Sequence, residues 1–205
     1  IHTLKKTISW SRQWGSLYPA YYLSRNNLGF AYAKLGHDDE AVEELLASIA
    51  IDPTYLKSKK TLAVVYFRTG KYREMAAIAE LIVKIQPGKA ENYGRLGSAY
   101  MMTGEHLKGV QAFEQEVLHE PKDSLAVANL GAARMAAGKN EDAIATFKQL
   151  LILKPKDFDV LSMLGRAYRQ TGRNDEAISV LKEALEIKPN SEKVVMAIAM
   201  TYISK

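Results

Sequence analysis

The sequence predicts an all-α solenoid built from antiparallel helix pairs, and three recurring features predict it. A leucine or isoleucine followed by a small residue returns every 34 residues, a glycine follows it at a fixed distance, and a proline closes each unit. Between glycine and proline, apolar residues recur at helical spacing, as in Ala177, Ile178, Leu181 and Ala184. Because one helix pair of this size cannot bury its apolar face alone, neighbouring pairs are expected to stack.

The three features keep their register along nearly the whole chain. The leucine–small pairs begin at Leu28, Leu62, Leu96, Leu130, Leu164 and Ile198, the glycines are Gly36, Gly70, Gly104, Gly138 and Gly172, and the prolines are Pro53, Pro87, Pro121, Pro155 and Pro189. Glycine reaches the left-handed conformation that ends a helix without steric cost. The next helix then starts within a few residues, and Asn174 or Asp175 is the expected cap after Gly172.

A tyrosine four positions after the leucine and a small residue at the start of the second helix complete the pattern. The tyrosines are Tyr32, Tyr66, Tyr100, Tyr168 and Tyr202, and the small residues include Ala41, Ala143 and Ala177. The combination resembles the tetratricopeptide repeat (TPR) family. Met75 and Gly109 depart from the small alanine, and Arg134 departs from the tyrosine. The resemblance implies a right-handed superhelical solenoid whose first helices line a concave groove.

The register also divides the chain into segments. Residues 1–21 are predicted to form an N-terminal helical segment, either a partial repeat or a cap, and residues 22–205 form the TPR array. The repeats lie near 22–55, 56–89, 90–123, 124–157 and 158–191, with a half repeat at 192–205. This gives five full repeats with partial repeats at both ends. A start at Ile1 instead of methionine suggests that the chain is a trimmed fragment.

Both ends carry residues that we expect to mediate assembly. Residues 1–21 contain both tryptophans, Trp10 and Trp14, and three basic residues without an acid. Two interpretations of this segment stay open: a helix that caps the first repeat, or an arm that docks into the groove of another copy or onto a membrane surface. At the other end, the half repeat is apolar all round, and Met196 and Met200 are its expected contacts.

The TPR resemblance implies which side chains face the groove. The predicted groove residues are Asn26, Asn27, Phe30, Lys57, Lys60, Phe67, Arg68, Arg95, Met101, Met102, Asn129, Met135, Met163, Arg166 and Arg169. Methionine is flexible and polarizable, which suits an adaptable binding surface, although the same residues also serve as ordinary core. The basic residues near one end are either a ligand site or a solvated face. A partner with apolar anchors beside a few acids would suit both halves.

Composition argues against several classes of function. The chain has 28 Lys and Arg against 23 Asp and Glu, but residues 56–89 carry eight bases and two acids while residues 22–55 carry two bases and six acids. Such alternation does not form the continuous basic stripe that nucleic acids require, so nucleic acid is an unlikely partner. Cysteine is absent, the four histidines lack metal-ligand spacing, and no phosphate-binding or nucleophile motif occurs. The sequence therefore predicts no enzyme activity, no cofactor and no metal ion.

We therefore expect a non-catalytic protein–protein interaction scaffold that binds partner proteins in a concave groove and forms a homo-oligomer. The alternative is a recognition domain of a larger enzyme or of a secretion or assembly complex. The segments 175–185 and 189–202, DEAISVLKEAL and PNSEKVVMAIAMTY, are additionally similar to a magnetosome-associated branch of the family. That resemblance implies an oligomeric coat on the cytoplasmic face of an organelle membrane, held at the membrane peripherally through its partners.

Overall fold

A computed structural model describes residues 21–204, and within this range every regular element is an α-helix. The helices are α1 (Tyr21–Leu35), α2 (Asp38–Ile51), α3 (Leu56–Arg68), α4 (Tyr72–Ile85), α5 (Ala90–Thr103), α6 (His106–His119), α7 (Ser124–Ala136), α8 (Asn140–Leu153), α9 (Phe158–Gln170), α10 (Asn174–Ile187) and α11 (Glu192–Ile203). The all-α fold of consecutively packed helix pairs is confirmed. The predicted assembly residues Trp10 and Trp14 lie outside the described residues.

The helices end where the sequence pattern places its glycines. The five turn glycines have φ angles between 72° and 80°, in the left-handed region. After Gly36, the amide of His37 donates a hydrogen bond to the Tyr32 carbonyl oxygen at 3.0 Å, and after Gly172 the amide of Arg173 donates to the Tyr168 carbonyl oxygen at 3.0 Å. These bonds satisfy carbonyl groups that would otherwise lack a partner at the helix end. The tight turn thus reverses the chain after each first helix, so that the second helix can pack antiparallel to it.

The second helices start differently from the sequence expectation. The N-cap of α10 is Arg173, which makes no side-chain cap hydrogen bond, and both proposed caps lie inside the helix. The acidic residues Asp175 and Glu176 occupy its first turn instead. There the negative charge interacts favourably with the positive end of the helix dipole. Side-chain caps occur on first helices, where Asp157 accepts hydrogen bonds from the amides of Asp159 and Val160 at the start of α9.

The described helices belong to two compact units, the first ending at Thr103 and the second beginning at Gly104. In the first unit, α1 to α5 pack consecutively around a core that includes Leu45, Leu62, Val65 and Ile82. The leucine–small pair explains the close approach of α1 and α2. A Cβ atom on Gly29 would lie 2.6 Å from Cγ of Leu45, so the leucine of the second helix fills the space that the missing side chain leaves.

The second unit, α6 to α11, repeats this packing with different side chains. Its main core includes Phe147, Leu150, Val160 and Leu164, and Leu181 packs with Val194 nearby. A Cβ atom on Gly165 would lie 2.6 Å from Cγ of Leu181. The same glycine-to-leucine contact therefore packs α9 closely against α10. This packing holds α9 in position, and α9 lines part of a cleft described below.

Arg134 shows how the second unit tolerates a departure from the repeat pattern. It replaces the usual tyrosine, and its guanidinium donates hydrogen bonds to Glu114 at 2.9 Å and to the Thr146 hydroxyl at 2.7 Å. Thr146 is itself buried and donates to the Asp142 carbonyl oxygen. A polar network in α6, α7 and α8 thus replaces an aromatic contact, although the buried Nε atom of Arg134 has no hydrogen-bond partner among residues 21–204.

Candidate protein-binding clefts

The first unit contains a cleft of about 300 Å³, which we call the basic cleft. It lies on the faces of α1 and α3, with one side chain from α5. Its lining residues are Phe30, Ala33, Lys34, Lys60, Thr61, Val64, Val65, Arg68 and Arg95. The structure therefore brings together four of the predicted groove residues, Phe30, Lys60, Arg68 and Arg95.

Most cations of the basic cleft already have partners. Arg68 forms a two-point ion pair with Asp38, including an Nε to Oδ2 distance of 3.1 Å. Arg95 donates to Glu91 at 2.7 Å, and this hydrogen bond, with the charges of Arg95 and Lys60, lowers the pKa of the Glu91 carboxyl. Lys34 places its ammonium 5.4 Å from the centre of the Phe30 ring. Two of the four described cations of the basic cleft, Arg68 and Arg95, are thus neutralised by neighbouring acids.

Asn26 contributes to packing instead of presenting its amide to a ligand. Its side chain is 6% exposed, and its oxygen accepts a hydrogen bond from the Ser58 hydroxyl at 3.1 Å. The Ser48 hydroxyl lies 2.7 Å from that of Ser58 and donates to the Tyr22 carbonyl oxygen. This network links α1, α2 and α3 in the interior, where buried polar groups need partners. The neighbouring Asn27 is exposed.

The second unit contains a larger cleft of about 510 Å³, which we call the methionine cleft. It lies mainly between α9 and α11, the first helices of two adjacent repeats. Its lining residues are Phe158, Asp159, Ser162, Met163, Arg166, Arg169, Leu181, Ser191, Lys193, Val194, Met196, Ala197 and Met200. The predicted groove residues Met163, Arg166 and Arg169 meet here, together with the two methionines that were predicted as assembly contacts.

The methionine cleft combines an apolar floor with cations that lack acidic partners. Met196 is 60% exposed and Met200 is 51% exposed, so both thioethers are accessible. Within residues 21–204, neither Arg166 nor Lys193 forms an ion pair or a side-chain hydrogen bond. Arg169 lies 4.0 Å from the Met200 sulfur. An apolar surface bordered by two unpaired cations, with Asp159 as the one carboxylate among the described lining residues, suits a ligand that offers both an apolar anchor and carboxylates.

The other predicted groove residues lie outside both clefts. Lys57, Phe67 and Met102 are exposed, while Met101, Asn129 and Met135 are half-buried. Met135 packs against the core of the second unit. The repeat register placed these side chains on first helices, but it did not distinguish a cleft from the surface beside it.

The methionine cleft also uses residues that sequence reasoning did not select. Phe158, Leu181 and Val194 line it together with the predicted residues. Phe158 stands one helical turn before Ser162 on the same face of α9, so helical periodicity could have identified it. Leu181 comes from the second helix α10 and is almost fully buried, and only the packed structure shows that it reaches the cleft.

Two kinds of feature are absent from the described part of the chain. Among residues 21–204, no group of three or more His, Asp or Glu side chains is arranged to hold a metal ion. None of the helices in this range combines the length and the apolar character needed to cross a membrane.

Helix pairs of this kind, with clefts on their first helices, define a class of repeat proteins. Two family models, both described as tetratricopeptide repeat, match residues 22–55 and 134–201. Both stretches of the chain therefore resemble repeats of the tetratricopeptide repeat family. Members of this family are generally non-catalytic interaction modules.

Two solved structures share this fold. The crystal structure of MamA protein aligns with a TM-score of 0.75 at 23% identity and covers 84% of this chain and 94% of MamA. YrrB, described as a TPR protein with an unusual peptide-binding site, aligns with a TM-score of 0.77 at 15% identity and covers 95% of this chain and 96% of YrrB. At these sequence identities the similarity shows a shared fold and nothing further. No curated protein matches the sequence.

Proposed function

We propose that this protein is a non-catalytic scaffold that binds partner proteins in its two clefts and assembles with copies of itself. The observation that carries the proposal is the methionine cleft, where accessible thioethers lie beside the unpaired cations Arg166 and Lys193. Methionine adapts its shape to different apolar side chains at little cost. Cations at the border of such a surface select ligands that carry acids.

The preferred ligand is a peptide segment with an apolar anchor next to carboxylates. The anchor would enter the methionine cleft between α9 and α11, and the carboxylates would pair with Arg166 and Lys193. The basic cleft would take a similar segment more weakly, because Asp38 and Glu91 already neutralise two of its cations. YrrB, a structural relative, is described as having a peptide-binding site, which supports this kind of ligand.

Self-assembly is supported by the surface of α11. Val195, Met196, Met200, Tyr202 and Ile203 are all exposed large apolar residues on this one helix. Such a concentration is unusual for a monomer surface and is typical of contact with another protein. The sequence likeness of residues 175–202 to MamA points in the same direction, since it implies an oligomeric coat at the cytoplasmic face of a magnetosome membrane.

The peptide-binding part is tested with a labelled acidic peptide, EDLLED, and a basic control of equal length, KRLLKR. Fluorescence anisotropy should show saturable binding of the acidic peptide only. The variant Met200→Glu should weaken this binding, because it places a carboxylate among the anchors, whereas Met102→Glu, an exposed methionine outside the cleft, should not. Equal binding of both peptides would refute the proposed selectivity.

The assembly part is tested by sedimentation of the whole chain beside a version that lacks residues 1–20. Association of the whole chain that increases with protein concentration would support the scaffold. Loss of association in the shortened chain would assign the contact to the segment with Trp10 and Trp14, whereas equal association would assign it to residues 21–205. A whole chain that stays monomeric at every concentration would refute self-assembly.

A further inference from the structure

The turn between α6 and α7 carries exposed leucines beside carboxylates without ion-pair partners. Leu118 is 70% exposed and Leu125 is 65% exposed. Glu120 and Asp123 lie between them in the sequence, and within residues 21–204 neither carboxylate forms an ion pair. Asp123 accepts a hydrogen bond from the Leu125 amide at 2.8 Å. We call these four residues the acidic turn.

The carboxylates of the acidic turn lie close enough to act on a third acid. The pKa of Glu116 is raised to about 7 by burial and by the negative charges of Asp123 and Glu120. Lys122 is also in this turn, but the charges that act on Glu116 are the two acids. Glu120 and Asp123 therefore lie near Glu116, and their negative charges attract a cation that approaches these carboxylates.

Two other acidic surfaces among residues 21–204 are already neutralised. In α2, Asp38 pairs with Arg68 and Asp39 lies 3.9 Å from Lys71. Near the start of α10, Glu176 pairs with Arg173 at 2.8 Å. The acidic turn differs from them because its carboxylates are unpaired and because two leucines are exposed beside them.

The acidic turn and the methionine cleft are complementary in both charge and polarity. From this match we infer that the acidic turn of one copy docks into the methionine cleft of a second copy. Leu118 and Leu125 contact the thioethers of the cleft, and the two carboxylates pair with Arg166 and Lys193. The interaction satisfies cations and acids that are unpaired in the single chain, and it covers apolar surface from both copies.

The proposed interface is heterologous, which means that it joins two different surfaces. The acidic turn belongs to α6 and α7, whereas the methionine cleft belongs mainly to α9 and α11. Because two different surfaces meet, each bound copy still offers a free turn on one side and a free cleft on the other. Contacts of this kind build open chains unless the rotation happens to close a ring. The inference rests on the proposed self-assembly and specifies its contact.

A pair of charge variants tests the interface. The cleft variant carries Arg166→Glu and Lys193→Glu, and the turn variant carries Glu120→Lys and Asp123→Asn, where asparagine keeps the helix cap. Each variant alone should associate at least about tenfold more weakly than the unmodified chain in sedimentation velocity, since like charges now meet. An equimolar mixture should associate again, because the unmodified turn of the cleft variant meets the unmodified cleft of the turn variant. The acidic cleft of the first also meets the basic turn of the second.

A matched control makes the result decisive. The control variant carries Lys154→Glu and Lys182→Glu, which is the same charge change as in the cleft variant. Both sites are exposed and lie outside the acidic turn and the methionine cleft, so association should be unchanged. A mixture that fails to associate, or a cleft variant that associates normally, would overturn the inference. If a cleft variant that associates normally no longer binds the peptide EDLLED, the methionine cleft binds a segment of another protein instead of the acidic turn. An unmodified chain that never associates would instead refute the proposed self-assembly itself.

Discussion

The basic cleft and the methionine cleft lie at equivalent positions of the helical repeat, but they differ in how their charges are balanced. In the basic cleft, Arg68 and Arg95 are held by Asp38 and Glu91. In the methionine cleft, Arg166 and Lys193 have no such partners among the described residues. The position in the repeat therefore determines which side chains face a cleft. The residues next to those side chains determine whether their charges are available to a ligand.

The largest expected effect concerns the glycines that let the helices approach. Gly165→Val and Gly29→Val each place a branched side chain where a Cβ atom would already lie 2.6 Å from a leucine of the next helix. Overpacking of this kind should cost about 2–4 kcal/mol. In thermal unfolding followed by circular dichroism, Gly165→Val should lower the midpoint of the second unit, and Gly29→Val that of the first. If each variant instead shows one transition and both midpoints fall by the same amount, the two units unfold together.

The second prediction concerns Glu116, which has no counterpart in the first unit. Its folded-state pKa of about 7 exceeds the ordinary value of 4.5, so the protonated form is favoured in the fold. Its stabilising contribution is therefore complete below pH 4.5 and is lost as the pH rises through 7. At ~1.4 kcal/mol per pKa unit, and with solvent screening of a half-buried carboxyl, the loss should be about 1–2 kcal/mol.

The measurement is urea unfolding of Glu116→Gln and of the unmodified chain between pH 4 and pH 8. The neutral glutamine should make the variant more stable at pH 8 and nearly equal at pH 4. Glu183→Gln, at an exposed site on α10, is the control and should show no such pH dependence. An unchanged difference between variant and parent across this range would contradict the assignment of the titration to Glu116.

A smaller effect is expected from single cations of the two clefts. Arg166→Ala removes an unpaired cation and should weaken binding of the peptide EDLLED by about 1 kcal/mol, roughly fivefold. The loss should shrink as salt is added, since these charges are exposed to solvent. Arg95→Ala should change the same affinity by less, because Glu91 already neutralises Arg95. Calorimetric titration compares the two, and a larger loss from Arg95→Ala would reverse the ranking of the clefts.

The smallest effect should follow from replacing the thioethers with a hydrocarbon of similar volume. Met196→Leu and Met200→Leu preserve the apolar floor, so the affinity for EDLLED should change by less than about 0.5 kcal/mol. Methyl-labelled methionine NMR of the unmodified chain gives the complementary evidence. The signals of Met163, Met196 and Met200 should shift when the peptide binds, while that of Met102 should not. A shift confined to Met102 would move the site out of the methionine cleft.

Much of the fold was predictable from the sequence because its signals are local. The turn glycines need a positive φ, and the helix ends found at Gly36, Gly70, Gly138 and Gly172 follow from that need alone. The lengths of the helices likewise follow from the 34-residue register. Prediction of the clefts was less complete, since Asn26 looked like a groove residue and is buried in a hydrogen-bond network with Ser58.

Local sequence patterns established the class of fold, the glycines at which the first helices end and the helix face that carries the clefts. All of these depend on periodicity and on conformational preferences within one repeat. The tertiary structure decided which cations remain unpaired, which methionines are accessible and where Leu181 reaches the methionine cleft. These properties depend on distances between side chains far apart in the sequence, and such distances arise only when the helices pack.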